Sequence, residues 1–192
     1  MADKKVFILL TNTGTLFTRI IKLFTKRTYN HVSISFNSEL IEVYSFGRKE
    51  IDNPFSGGFV KENIHQKLFK QADCVIYSVS VTEFQIQKMK NYIDEMQQQK
   101  EKYHYNFLGL FGFLFNTPIE RKNAFFCSEF VATVLKECQI INFQKSPSLI
   151  APHDIKKISE LQFVYEGNLN AYYNNGDDKE LNVPVPFRVV EI

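Results

Sequence analysis

Two stretches of the chain, HVSISF (31–36) and ELIEVYSF (39–46), alternate apolar and polar residues with the period of two that a β-strand imposes. Asn37-Ser38 between them predicts a hairpin closed by a two-residue turn. KVFILL (5–10) reads as a buried strand, broken by Gly14, and CVIYSVSV (74–81) as another. Elsewhere the apolar positions take helical spacing. Leu16, Phe17, Ile20, Ile21 and Phe24 predict a helix over 15–26, punctuated by Arg19, Lys22 and Lys26. Thr82 with Gln85 three residues on is a capping-box pattern, ahead of a stripe formed by Ile86, Met89, Ile93 and Met96. Cys127 opens a further helix whose apolar face is Phe130, Val131, Val134 and Leu135, and Pro152 begins a short one. LQFVYEG (161–167) and PFRVVEI (186–192) predict closing strands. Strand and helix interleave, but the hairpin argues for an antiparallel sheet, so the class is α+β in one domain over 1–192.

Composition narrows the function classes. The chain has 192 residues, 44% hydrophobic and 15% aromatic, enough for a packed core. Its 19 phenylalanines suit an apolar groove as well as a core. A net charge of +2, with no glycine-rich phosphate motif, argues against a general nucleic-acid binder. Cys74, Cys127 and Cys138 form an odd set without a CxxC pair, so neither a disulfide framework nor a zinc site follows, and a reducing, cytoplasmic compartment is expected. No secretory signal or membrane span is expected either. The longest apolar run, FLGLFGFLF (107–115), is far shorter than the roughly 20 residues a spanning helix needs. It reads as core, or as the wall of a lipid-accepting pocket. The basic helix 15–26 is either core-facing or a peripheral membrane contact. No cofactor or metal is expected, because the four histidines lack ligand spacing. His65 lies in a charged run, His104 sits between two tyrosines, and His153 follows Pro152 at a helix start.

The first hairpin puts polar chemistry together. Val32, Ile34 and Phe36 share one face of their strand, leaving His31, Ser33 and Ser35 on the other. A two-residue turn pairs Ser33 with Glu42 and puts Ile41 and Val43 on the apolar side. His31 then lies diagonal to Glu42, about 7–8 Å away between Cα atoms. A carboxylate there would orient the imidazole and free its second nitrogen as a base. The plain alternative is a solvated ion pair with little effect.

Cys127 is the nucleophile that such a pair would serve. It falls between Phe126 and the first turn of its helix, where unpaired backbone N–H groups and the positive dipole end lower a thiol's pKa. The same amides suit the oxyanion of a tetrahedral intermediate. Cys138 comes late in that helix and Cys74 in a strand, so neither has this advantage. The plain alternative for Cys127 is a small buried apolar residue.

Four pieces together resemble a known family: YNHVSISF with His31, ELIEVYSFG with Glu42, YHYNFLGL, and FFCSEFV with Cys127. In this order they resemble the circularly permuted branch of the NlpC-type papain-like cysteine hydrolases. That branch includes YiiX-like bacterial proteins and is related to lecithin:retinol acyltransferase. The resemblance implies a permuted papain-like fold, an antiparallel sheet or partial barrel packed against the helix that bears the nucleophile. It assigns Cys127 as nucleophile, His31 as general base and then acid, and Glu42 as the orienting third member. It also implies that Tyr103 or Tyr105 lines the site. Phe126 and Ser128, on either side of the cysteine, complete the candidate substrate-binding set.

The activity expected is hydrolysis of an amide, peptide or ester bond through an acyl-enzyme, on a small-molecule, peptide or lipid-bearing substrate. Two alternatives share the residues. One is a thiol-dependent lipid acyltransferase or phospholipase, and the other a non-catalytic binding module on the same fold.

Overall fold

The structure is a computed structural model and describes residues 4–12, 28–50, 53, 56–66, 69 and 71–174. At its centre lies β1 (Lys4–Asn12), in which six consecutive residues from Val6 to Thr11 are buried. Such a strand must be covered on both faces, and it is. β2 (His31–Ser35), β3 (Val43–Arg48) and β4 (Gly57–Glu62) extend the sheet on one side of it. β5 (Asp73–Val81) and β8 (Gln162–Asn168) extend it on the other. The order is β4-β3-β2-β1-β5-β8, antiparallel throughout. Among the described residues its outer strands do not meet, so the sheet is open and forms no closed barrel. Together with the helices this makes a mixed α+β fold.

One face carries Val6, Ile8, Leu10, Val32, Ile34, Phe46 and Phe59. Two helices cover it. In α1 (Glu83–Gln98) the predicted capping box is present: Thr82 Oγ1 accepts from the Gln85 N–H at 3.2 Å, and Gln85 Oε1 accepts from the Thr82 N–H at 2.9 Å. The stripe Ile86, Met89, Ile93 and Met96 is buried as its spacing requires. The second helix, which begins at Cys127 and ends at Glu137, is called α3 below; α2 is Phe107–Leu114. Phe130 of α3 is fully buried between Phe46 and Phe59, with ring centroids 5.3 and 5.7 Å away. Truncating a residue packed this way typically costs about 3–5 kcal/mol, so α3 is firmly seated on β2 and β3. The opposite face of the sheet carries Phe7, Leu9, Val43, Cys74 and Ile76, and is covered by Leu40, Ile64, Phe69 and Leu169. Leu169 begins α5 (Leu169–Asn174), and α4 (Pro152–Ile155) starts at Pro152 as expected.

The first hairpin departs from the expected register. Ile34 pairs with Tyr44 and Ser35 with Val43, and the Phe36 N–H donates to the Glu42 carbonyl at 3.4 Å. Five residues, 37–41, therefore make the connection, not two. Asn37 Oδ1 accepts from the Ile41 N–H at 2.8 Å, Leu40 adopts a φ of 52°, and its side chain is fully buried. The slip is odd, so the faces exchange: Val43 and Ser45 share the face of His31, Tyr44 and Phe46 that of Val32, and Ile41 is exposed. Alternation could not choose between these registers because both faces of the sheet are buried.

The apolar run 107–115 forms α2 followed by Phe115, with Leu108 and Phe115 exposed. The expected helix over 15–26 and the strand over 186–192 lie outside the described residues. Among the described residues no helix is long and apolar enough to cross a membrane, all three cysteines are free, and no cluster of side chains could hold a metal ion.

Candidate active site

Three segments distant in sequence converge at the first turn of α3. Phe126 is its N-cap, in extended backbone conformation, and Cys127 is the first helical residue. Cys127 is 4% exposed, and its side chain hydrogen-bonds the imidazole of His31, the first residue of β2. At the very end of its strand, the His31 ring reaches both the sulfur brought by α3 and a carboxylate from the sheet. That carboxylate belongs to Glu62, not to Glu42.

Glu62 Oε1 lies 2.6 Å from His31 Nε2, and Ser33 Oγ donates to Glu62 Oε2 at 2.5 Å. Only 13% of the His31 side chain and 8% of the Glu62 side chain are exposed. Small residues make the floor on which they meet. A Cβ at Gly47 would lie 3.6 Å from Glu62 Oε1 and 3.9 Å from His31 Cε1. With Nε2 taken by Glu62, Nδ1 is the ring nitrogen left for the thiol. Glu42 lies opposite Phe36, near the far end of β2 from His31, because the hairpin register is three residues from the one expected.

Tyr105 completes the group. It belongs to β6 (His104–Tyr105), which pairs in parallel with β7 (Ala124–Phe125), the dipeptide just before the N-cap of α3. Two glycines of β4 admit β6 this closely. A Cβ on Gly57 would sit 2.7 Å from Tyr105 Cβ, and one on Gly58 would run into the Tyr103 carbonyl. The buried Tyr105 hydroxyl accepts from the Cys127 N–H and donates to its side chain. Burial, then the charge a thiolate would place beside it, holds the phenol well above its usual range, so it keeps its proton.

The charge state of His31 follows from competing influences. Burial, the largest, disfavours the imidazolium; the Glu62 carboxylate and the hydrogen bonds to Cys127 and Glu62 outweigh it. The result is an imidazole whose pKa is raised well above 6.5. That sets a positive charge beside the Cys127 sulfur at the N-terminus of α3.

Of the residues selected by sequence reasoning, the structure brings together Cys127, His31 and Tyr105. Tyr103 packs edge-on against Phe46, 6.1 Å between centroids. Phe126 is buried in the core rather than turned to a substrate. Ser128 is buried and its hydroxyl has no hydrogen-bond partner among the described residues. His65 packs at a tilt against Tyr173, His153 contacts Asp154, and His104 is exposed on β6.

Sequence reasoning missed Glu62, Asn106 and Glu129. Glu62 ends GGFVKE (57–62), whose glycines disguise a strand as a loop; alternation back from Glu62 through Val60 to Gly58 was the available signal. No protein-family model matches the chain, and no curated protein matches it in sequence.

Proposed function

We propose that the protein is a thiol-dependent hydrolase of amide or ester bonds, with the permuted papain-like organisation that its motifs resemble. The observation that carries this reading is the single imidazole of His31 touching the Cys127 thiol on one side and the Glu62 carboxylate on the other. Nucleophile, base and orienting acid stand in the order that acyl transfer needs.

The sulfur of Cys127 attacks the substrate carbonyl carbon, and the carbonyl electron pair moves onto oxygen. First-turn N–H groups of α3 and the Tyr105 hydroxyl, which lies against Cys127, would supply donors to that oxyanion. As the intermediate collapses, the imidazolium of His31 gives its proton to the leaving nitrogen or oxygen, and a thioester remains. Neutral His31 then takes a proton from water, whose oxygen attacks the thioester carbon. Free acid and the thiolate–imidazolium pair are restored. Glu62 keeps the ring in place and stabilises its charge throughout, and Ser33 holds the second carboxylate oxygen.

Iodoacetamide labelling of Cys127 near pH 6.5 tests the pairing without a known substrate. Wild type should label at least tenfold faster than His31→Ala, the difference expected when a thiolate loses its counter-ion. Equal rates in the two proteins would remove the mechanism.

A further inference from the structure

Two further buried polar residues stand beside this site. Asn106 follows Tyr105 directly, and Glu129 stands two residues beyond Cys127. Asn106 is fully buried and Glu129 is 4% exposed. The Asn106 side chain bonds through both its amide nitrogen and its oxygen. Nδ2 donates to the Ile119 carbonyl at 3.0 Å and to Glu129 Oε2 at 3.4 Å, while Oδ1 accepts from the Gly109 N–H at 2.9 Å. Its backbone N–H donates to the Phe125 carbonyl at 3.0 Å. Glu129 Oε2 accepts a second bond, from the Phe126 N–H at 3.2 Å. One carboxylate oxygen thus joins the amide just before Cys127 to the side chain just after Tyr105.

We propose that Asn106 and Glu129 are positioning residues of the Cys127 site: their buried contact clamps the strand bearing Tyr105 to the first turn of α3, so that phenol and sulfur keep one separation. This rests on the hydrolase reading above. Stability alone does not select a glutamate here. Burial, helped by the carboxylate of Glu120, pushes the Glu129 carboxyl up to about 7, against the hydrogen bonds from Phe126 and Asn106. A carboxyl raised in the folded state makes the fold less stable as pH rises from about 4.3, the free value, through that folded value. Glutamine would fill the same space and accept the same two N–H groups without this cost. A charge kept against stability is expected where it serves a site. What the charge supplies is an acceptor that strengthens both hydrogen bonds converging on the turn that carries the nucleophile.

The test combines iodoacetamide labelling of Cys127, from about pH 5 to about pH 9, with thermal unfolding of the same samples. The proteins are wild type, Glu129→Gln, Asn106→Ala and His31→Ala. Glu129→Gln should unfold no earlier than wild type at about pH 8 yet label about tenfold more slowly, the effect of one weakened hydrogen bond at the site. Its labelling profile should also lack the wild-type component centred near 7. Asn106→Ala should slow labelling similarly; if it does not fold, Glu129→Gln decides alone. The proposal is overturned if Glu129→Gln labels at the wild-type rate with the wild-type profile, or slows only in step with lost stability. Slow labelling in His31→Ala with unaltered labelling in Glu129→Gln rejects the clamp and leaves the hydrolase standing. Unaltered labelling in His31→Ala rejects the hydrolase, and the clamp with it.

Discussion

Replacing Glu62 by glutamine keeps a carbonyl oxygen opposite His31 Nε2 and removes the charge. It also turns the oxygen that accepts from Ser33 into an NH2 group, to which the Ser33 hydroxyl can adapt by rotating to accept. The pair is short, 2.6 Å, and both side chains are nearly buried, so solvent does little to screen it. A hydrogen bond to a charged group contributes about 1.5–3 kcal/mol and a neutral one about 1 kcal/mol. Glu62→Gln should therefore cost about 1–2 kcal/mol wherever His31 is charged in the folded protein. The pH window follows from His31. Burial works against its charge, but Glu62 and the Cys127 contact win, and its pKa stands well above the ordinary 6.5. A histidine raised in this way contributes stability that is fully present below about 6.5 and is lost as pH rises through the folded-state value. The deficit of Glu62→Gln should be largest near pH 6 and shrink on the alkaline side, where a neutral imidazole N–H donates to the glutamine carbonyl almost as well. Urea unfolding of both proteins across this range measures it. A deficit that does not vary with pH, or a variant more stable than wild type below 6.5, would refute the reasoning.

The remaining expectations are simpler to read. Glu42→Gln should leave Cys127 labelling within twofold of wild type, since Glu42 lies opposite Phe36 and away from His31; a loss as large as that of Glu62→Gln would restore Glu42 to the site. Gly58→Ala should destabilise by about 1–3 kcal/mol and slow labelling, because the added methyl meets the Tyr103 carbonyl and pushes β6 outward. Gly47→Ala is its control. A Cβ there makes ordinary contacts of 3.5–3.9 Å, so chemical denaturation should show a change within about 0.5 kcal/mol.

Much of the fold was legible as local pattern. The strands at 4–12, 31–35 and 73–81, the Thr82 capping box and the start of α3 at Cys127 all follow from periodicity and cap chemistry, which act over a few residues. The place of Cys127 was legible for the same reason, since a helix start is a local property. His31 was legible only as a residue on the polar face of a strand. Its partner was not.

Register is where local pattern stopped. In β1 to β3 both faces are buried, so alternation leaves an odd slip undecided, and the chain settles it by burying Leu40 and Val43 in the second core. That slip carries Glu42 away from His31. The sheet then supplies Glu62 from β4, a strand whose glycines carry no apolar signal but admit the backbone of β6. Asn106 and Glu129 were invisible for a related reason: each reads as an ordinary polar residue until packing buries it and brings the two side chains together. The sequence by itself determined which residue types were present and which short segments would be helix or strand. Tertiary packing decided which carboxylate meets the imidazole, because that choice depends on strand order and register, set by burial summed over the whole sheet.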